Sequence, residues 1–250
     1  MCAELVTPRP TNGNLMNHDL KVFWENLYAE LHEYWENKRS FLPRTGDLKF
    51  GIFYSPVHAH PDLMIIGANP GFDSDDDTKA PPDTNLFYDP IGRNPKEWKI
   101  SPAMRKLFQP AGQEEMLRNS VVLNLLFFKS RCLGRHAGTG QGWRDNRDAN
   151  VRHEIEHYCR HKVEQIVSQL APARILVLGL ATWDKLAEPQ AKLVARRRGL
   201  RGRLAVAGTV FNRSALGIIH PTGAQIRYDE RRELANHLGA FLRGNLRDLG

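Results

Sequence analysis

Cysteine is scarce in this chain. Cys2, Cys132 and Cys159 are the three among 250 residues, and no two stand at a paired spacing. That argues against a disulfide framework, a four-cysteine zinc site or an iron–sulfur cluster. It fits a reducing compartment, so a cytoplasmic location is expected, with no metal and no cofactor. Long apolar runs are missing too: none approaches the roughly 20 residues that a membrane span needs. The opening residues, Met1-Cys2-Ala3-Glu4-Leu5, carry neither the basic nor the apolar stretch of a secretory signal. No internal repeat and no linker with a shifted composition breaks the chain. It reads as a loose polar arm over 1–16 and a single domain over 17–250, expected to act as a monomer.

Charge is present in moderate excess, with a formal net charge of +7. Its distribution is uneven. Basic residues gather at Lys129, Arg131 and Arg135, and again at Arg196, Arg197, Arg198, Arg201 and Arg203. Acid gathers at Asp73, Asp75, Asp76 and Asp77. Localised basic stretches are the footprint of phosphate-backbone binding, although a solvated basic face has the same composition.

Hydrophobic periodicity supplies the elements. Leu20, Phe23, Trp24, Leu27, Leu31, Tyr34 and Trp35 recur at helical spacing over 19–38 and read as core packing. A short strand is expected over 50–54. Apolar strands are expected over 63–66, 121–128, 174–179, 204–207 and 216–219. Helices are expected from Ser101-Pro102, with Pro at the first helical position, over 151–170, from Thr182, and over 229–246. Residues 72–100 read as a long irregular segment, and such loops in compact domains are commonly functional. Strands alternating with helices indicate an α/β domain. Its central sheet would be mostly parallel, of four to five strands, flanked by helices.

Two segments stand out. Gly67-Ala68-Asn69-Pro70-Gly71 follows the strand at 63–66, and His220-Pro221-Thr222-Gly223 follows the strand at 216–219. A buried strand that ends in a Gly/Pro turn bearing one polar side chain presents that side chain at the carboxyl edge of the sheet. One edge would thus carry an amide and an imidazole. Asn124 stands alone in an apolar strand. Burying its amide without partners costs about 1–3 kcal/mol, so it needs a reason to be there.

Taken together and in this order, these segments resemble the uracil-DNA glycosylase superfamily. The Asn-Pro-Gly turn is most similar to the single-strand-selective monofunctional and mismatch-specific branches. The resemblance covers roughly residues 60–245. It implies hydrolysis of the N-glycosidic bond of a flipped-out pyrimidine in DNA, with Asn69 holding the water and His220 donating to the base oxygen. It implies base contacts from Gly67, Ala68, Pro70, Gly71 and Asn124, with Phe87 or Tyr88 stacking on the base. Asn124 would read the Watson–Crick edge, but an amide presents either oxygen or NH2 and alone does not separate uracil from cytosine. Thr222 would meet a DNA phosphate, and Lys129, Arg131 and Arg135 would flank the exit of the Asn124 strand. One carboxylate of 73–77 could lend a base to Asn69, although the stretch reads first as a solvated acidic loop.

The chain also departs from that pattern. Gly71 stands where the fast uracil branch has a tyrosine that excludes C5 substituents. An open wall suits hydroxymethyluracil or a glucosylated hydroxymethylcytosine, in repair or in defence against modified foreign DNA. Gly223 and Ala224 stand where the family has a proline and a wedge residue. The next long side chains are Gln225, Ile226 and Arg227, so extrusion from a normal duplex is expected to be weak and the substrate single-stranded or distorted. Two rival readings use the same residues. One is a non-catalytic binder of uracil-containing or modified DNA. The other is an unrelated doubly wound domain that binds a phosphate ligand, although the turn at 67–71 matches neither a Walker loop nor a GxGxxG fingerprint.

Overall fold

The computed structural model describes residues 13–69, 80–88, 99–197, 202–222 and 225–245. The strands assemble into one six-stranded sheet in the order β2-β1-β3-β6-β5-β4. They are β1 (Met64–Gly67), β2 (Val121–Asn124), β3 (Ile175–Leu178), β4 (Lys192–Arg196), β5 (Arg203–Val210) and β6 (Arg213–Ile218). β2, β1, β3 and β6 run parallel. β5 and β4 extend the sheet antiparallel to their neighbours. The helices are α1 (Gly13–Lys38), α2 (Ile100–Phe108), α3 (Glu114–Arg118), α4 (Ala149–Leu170), α5 (Leu180–Leu186) and α6 (Tyr228–Leu242). The chain is therefore an α/β domain with a mostly parallel sheet, one strand wider than expected. No described helix is long and apolar enough to cross a membrane.

Alternation along each parallel strand sends neighbouring side chains to opposite layers. Met64, Ile66, Val121, Leu123, Ile175 and Val177 join the layer that holds Leu27 and Leu31 of α1 and Ile155 and Val163 of α4. Ile65, Val122, Leu176 and Leu178 join the layer that holds Met104 and Leu107 of α2 and Leu234 and Leu238 of α6. Burial on both faces is why these strands read as unbroken apolar runs.

Four expectations are corrected. α1 begins at Gly13, so residues 13–16 are helical rather than arm, and 1–12 lie outside the described residues. The segment at 50–54 forms two antiparallel bridges, Phe50 to Phe128 and Phe53 to Leu123, rather than a strand. The run at 121–128 stops as a strand at Asn124, and its continuation pairs with Gly67 and Ala68 and with the chain at Phe50 and Gly51. α2 starts at Ile100, which moves Pro102 inward, and the Ser101 hydroxyl donates to Leu86 O at 3.0 Å rather than capping the helix. β4 and α3 were not anticipated. Lys192–Arg196 is only three apolar residues between two cations, beside an arginine cluster, and α3 is barely more than one turn.

Parallel alignment places the carboxyl ends of β1, β2, β3 and β6 on one edge. Local packing fixes that edge tightly. Gly217 of β6 lies under the Trp183 indole of α5, where a Cβ would come within 2.4 Å of Cε3. Gly179, which ends β3 at φ +95°, lets the backbone turn beside the His220 ring, and its N–H donates to Ile218 O at 2.8 Å.

Candidate active site at the carboxyl edge of the sheet

A cavity of about 430 Å³ opens at this edge. That is within the range of small-molecule sites. Gly67, Ala68, Asn69, Phe87, Asn124 and His220 all line it, together with Tyr54, Lys99, Arg131 and Thr222. Strands β1 and β6 are separated by β3 alone, so Asn69 and His220 follow strand ends about 10 Å apart. The two segments singled out in the sequence thus face one space.

Asn69 is held from below. Its Nδ2 donates to Ser130 O at 2.8 Å and contacts Ser130 Oγ at 3.0 Å. A backbone carbonyl only accepts, so the amide NH2 must face Ser130 and Oδ1 becomes the acceptor end. The Ser130 hydroxyl in turn donates to Cys132 O at 3.2 Å, and Ser130 is fully buried. The backbone pairing of β1 with β2 continues past the strands, with Leu125 N donating to Gly67 O and Leu126 N to Ala68 O, both at 2.9 Å. That ladder fixes the turn on which Asn69 stands.

Asn124 leans over Gly67. A Cβ on Gly67 would lie 2.3 Å from Asn124 Oδ1, so glycine is required for the amide to occupy this place. No side-chain hydrogen bond joins Asn124 to the protein among the described residues. An amide set in a cavity wall with donors and acceptors uncommitted is suited to a polar ligand edge.

The His220 tautomer follows from its donor. Thr222 N–H donates to His220 Nδ1 at 3.3 Å, and Thr222 Oγ1 lies 3.2 Å from the same nitrogen. Nδ1 is therefore the acceptor, and the neutral ring carries its proton on Nε2. Burial lowers the imidazole pKa below its ordinary value, which keeps the ring neutral. A neutral N–H donor beside a cavity can stabilise negative charge that develops on a ligand oxygen.

Phe87 is buried and forms a wall of the cavity. Asn85 fixes it. The Asn85 amide donates to Ser120 O at 2.9 Å and to Leu117 O at 3.2 Å, while its Oδ1 accepts from Phe87 N at 3.0 Å. Arg105 Nη1 donates to Phe87 O at 2.7 Å. Tyr88 does not line the cavity. Its hydroxyl donates to Glu114 O at 3.0 Å, and the Arg118 guanidinium stacks 4.1 Å over its ring. Of the two aromatic candidates, the structure brings Phe87 to the site.

The expected phosphate contacts divide. Arg131 is exposed at the cavity, with its Nε donating to Gln141 Oε1 at 2.8 Å. Arg135 is exposed outside it. Lys129 is 2% exposed, and a residue so enclosed is not a surface contact. Gln225 and Arg227 are exposed just before α6. In the second basic stretch, Arg197 pairs with the buried Glu230 at 3.4 Å, and Arg203 binds Asp184 through two bonds of 2.8 and 2.6 Å. Those two arginines are structural ion pairs rather than a free basic face. Pro70, Gly71, Asp73, Asp75, Asp76, Asp77, Arg198, Arg201, Gly223 and Ala224 lie outside the described residues.

Sequence reasoning missed Ser130 and Asn85. Both are polar residues at the ends of apolar runs, and their partners lie 61 and 35 positions away. It also missed His153 and His157, one turn apart on α4, which line a smaller cavity of about 170 Å³ with Ala68 and Glu156. Glu156 is committed to Lys185 and, at 2.8 Å, to Trp143 Nε1. Among the described residues no group of three His, Cys, Asp or Glu side chains could hold a metal ion. Compared with known proteins, the chain matches no family model and no curated sequence.

Proposed function

We propose that this protein is a monofunctional DNA glycosylase. It hydrolyses the N-glycosidic bond of a flipped-out pyrimidine, either uracil or a C5-modified base such as hydroxymethyluracil or glucosylated hydroxymethylcytosine, and leaves an abasic site. The observation that carries this reading is the meeting of Asn69 and His220 at one cavity, with Phe87 and Asn124 in its wall.

Each group suits one part of the reaction. As the C1′–N1 bond breaks, the sugar gains positive charge and the base keeps the electron pair. Asn69 Oδ1 accepts from the attacking water and aims its oxygen at C1′. An amide is too weak a base to take the proton, which leaves with solvent or with the departing pyrimidine anion after the C1′–O bond forms. His220 Nε2–H donates to the pyrimidine O2 as charge builds there. Phe87 offers a stacking face, worth roughly 1–3 kcal/mol per base. Asn124 meets the polar edge of the base. The biological setting is repair or defence against modified foreign DNA, and both use the same pocket chemistry.

The test is a panel of DNAs carrying uracil, hydroxymethyluracil, hydroxymethylcytosine and glucosylated hydroxymethylcytosine, scored for alkali-labile abasic sites with Asn69→Ala as control. Release of one base, lost in the control, supports the reading and names the substrate. One observation favours a second reading, a non-catalytic binder. The Asn69 NH2 is tied to Ser130, and no described carboxylate lines the cavity to serve as a base. Stoichiometric binding without abasic sites would select it.

A further inference from the structure

A second cleft of about 230 Å³ lies beside the candidate site. Lys99, just before α2, and Lys106, in its last turn, flank it, and Arg231 flanks it from α6. Pro221, Thr222 and Ile226 complete its wall. Lys99 and Thr222 line both cavities, so the two adjoin beside the His220 turn.

The charge of this cleft is one-sided. Among the described residues, three cations line it and no carboxylate does. Among the described residues, none of the three is engaged in an ion pair or side-chain hydrogen bond. The acids nearest in sequence to Arg231 are already occupied: Asp229 faces Arg227 at 3.6 Å, Glu230 faces Arg197 at 3.4 Å, and Glu233 faces His237 at 3.8 Å. Some cations elsewhere are compensated, as Arg203 is by Asp184 and Lys185 by Glu156. Uncompensated like charges around one concavity repel each other and raise the local potential, and an anion relieves both.

The spacing favours an extended anion. Lys99 and Lys106 are two helical turns apart, about 10 Å along the axis. That exceeds the ~3.4 Å rise between successive phosphates of one duplex strand, so the two side chains can meet different phosphates of one backbone. We propose that Lys99, Lys106 and Arg231 grip the phosphodiester backbone of the strand that carries the extruded nucleotide, on the side of Thr222 away from the base cavity. This takes its occupant from the DNA reading above but does not depend on base excision.

The test measures binding of a fluorescent single-stranded oligonucleotide of unmodified bases across a series of salt concentrations. The proteins are the wild type, Lys106→Ala with Arg231→Ala, and Lys106→Arg with Arg231→Lys. A control removes two charges toward the opposite edge of the sheet, Lys192→Ala with Arg213→Ala. The alanine pair is expected to bind about tenfold or more weakly at low salt and to lose about 1.4 units of the log–log salt slope, roughly 0.7 for each lost contact. The charge-retaining pair and the control should both follow the wild type. Wild-type affinity and slope in the alanine pair would overturn the proposal, as would wild-type protein that does not bind the oligonucleotide. Binding of inorganic phosphate alone, without the strand, would overturn it as well. The readouts separate from the glycosylase test: cleft-dependent binding without abasic sites removes only the enzymatic reading, and abasic sites with an indifferent cleft remove only this one.

Discussion

Asn69 gives its amide NH2 to Ser130, at 2.8 Å to the carbonyl and 3.0 Å to the hydroxyl, and so points its oxygen the other way. The orientation of the side chain is thus decided by a residue 61 positions later. Asn69→Ala is expected to lower abasic-site formation by about 100-fold or more, because a misplaced nucleophile loses the advantage of orientation. Ser130→Ala should cost less, about tenfold in kcat with KM little changed, since one of two hydrogen bonds remains. Asn69→Asp should not accelerate the reaction, because a carboxylate facing the Ser130 carbonyl sets acceptor against acceptor. Single-turnover kinetics on the preferred substrate distinguishes the three.

His220→Ala is expected to reduce the chemical step roughly 100- to 1000-fold. The pH profile carries a second expectation. Burial holds the folded pKa below the ordinary value near 6.5, so the neutral Nε2–H donor persists as pH falls through that value. The rate should therefore stay level around pH 6.5 and decline only at lower pH. Protonation there would put a hydrogen on Nδ1 against Thr222 N–H. The same shift makes folding favour the neutral ring. Its stabilising contribution is complete above the unfolded pKa and is lost as pH falls through the depressed folded one. Rates and unfolding midpoints measured across pH 4–8 check both.

Gly67→Ala should disturb the site without touching a ligand. The added methyl would meet Asn124 Oδ1 at 2.3 Å, so the amide must turn or the strand must shift. The expected cost is about 1–3 kcal/mol in chemical denaturation, together with weaker discrimination among bases. Wild-type stability and base preference in this variant would remove Asn124 from the reading role.

Gln225→Ala with Arg227→Ala should lower activity on duplex DNA more than on single strands, because both side chains are exposed beside the His220 turn. Equal loss on the two substrates would assign them to general binding instead of extrusion.

The strands that carry the site were readable because burial on both faces leaves an unbroken apolar run, and because Gly and Pro mark where each run stops. Met64–Gly67 and Arg213–Ile218 end where the motifs begin, so the sequence alone sets Asn69 and His220 on one edge. What the sequence did not carry was partnership across distance. Arg197 and Arg203 look like free basic residues until Glu230 and Asp184, 33 and 19 positions away, are folded against them. Lys129 likewise reads as exposed charge in a polar segment, yet the chain closes over it. Lys99, Lys106 and Arg231 belong to two helices, and only packing of α2 near α6 makes them neighbours. β4 was hidden because its apolar run is only three residues long and lies between two cations beside an arginine cluster.

The bridges at Phe50 and Phe53 have a consequence beyond the site. Gly51 N–H donates to Phe127 O at 2.9 Å and Tyr54 N–H to Val122 O at 2.8 Å, so the outer margin of β2 is already occupied by the protein's own chain. The opposite margin, β4, presents Lys192 and Arg196 and a broken register against β5. Neither side of the sheet offers a second molecule a long flat row of amides to extend. A protein with so many buried β-rich apolar segments would otherwise risk polymerising at high concentration. Here the strand-addition route is closed at both ends by local chain and by charge.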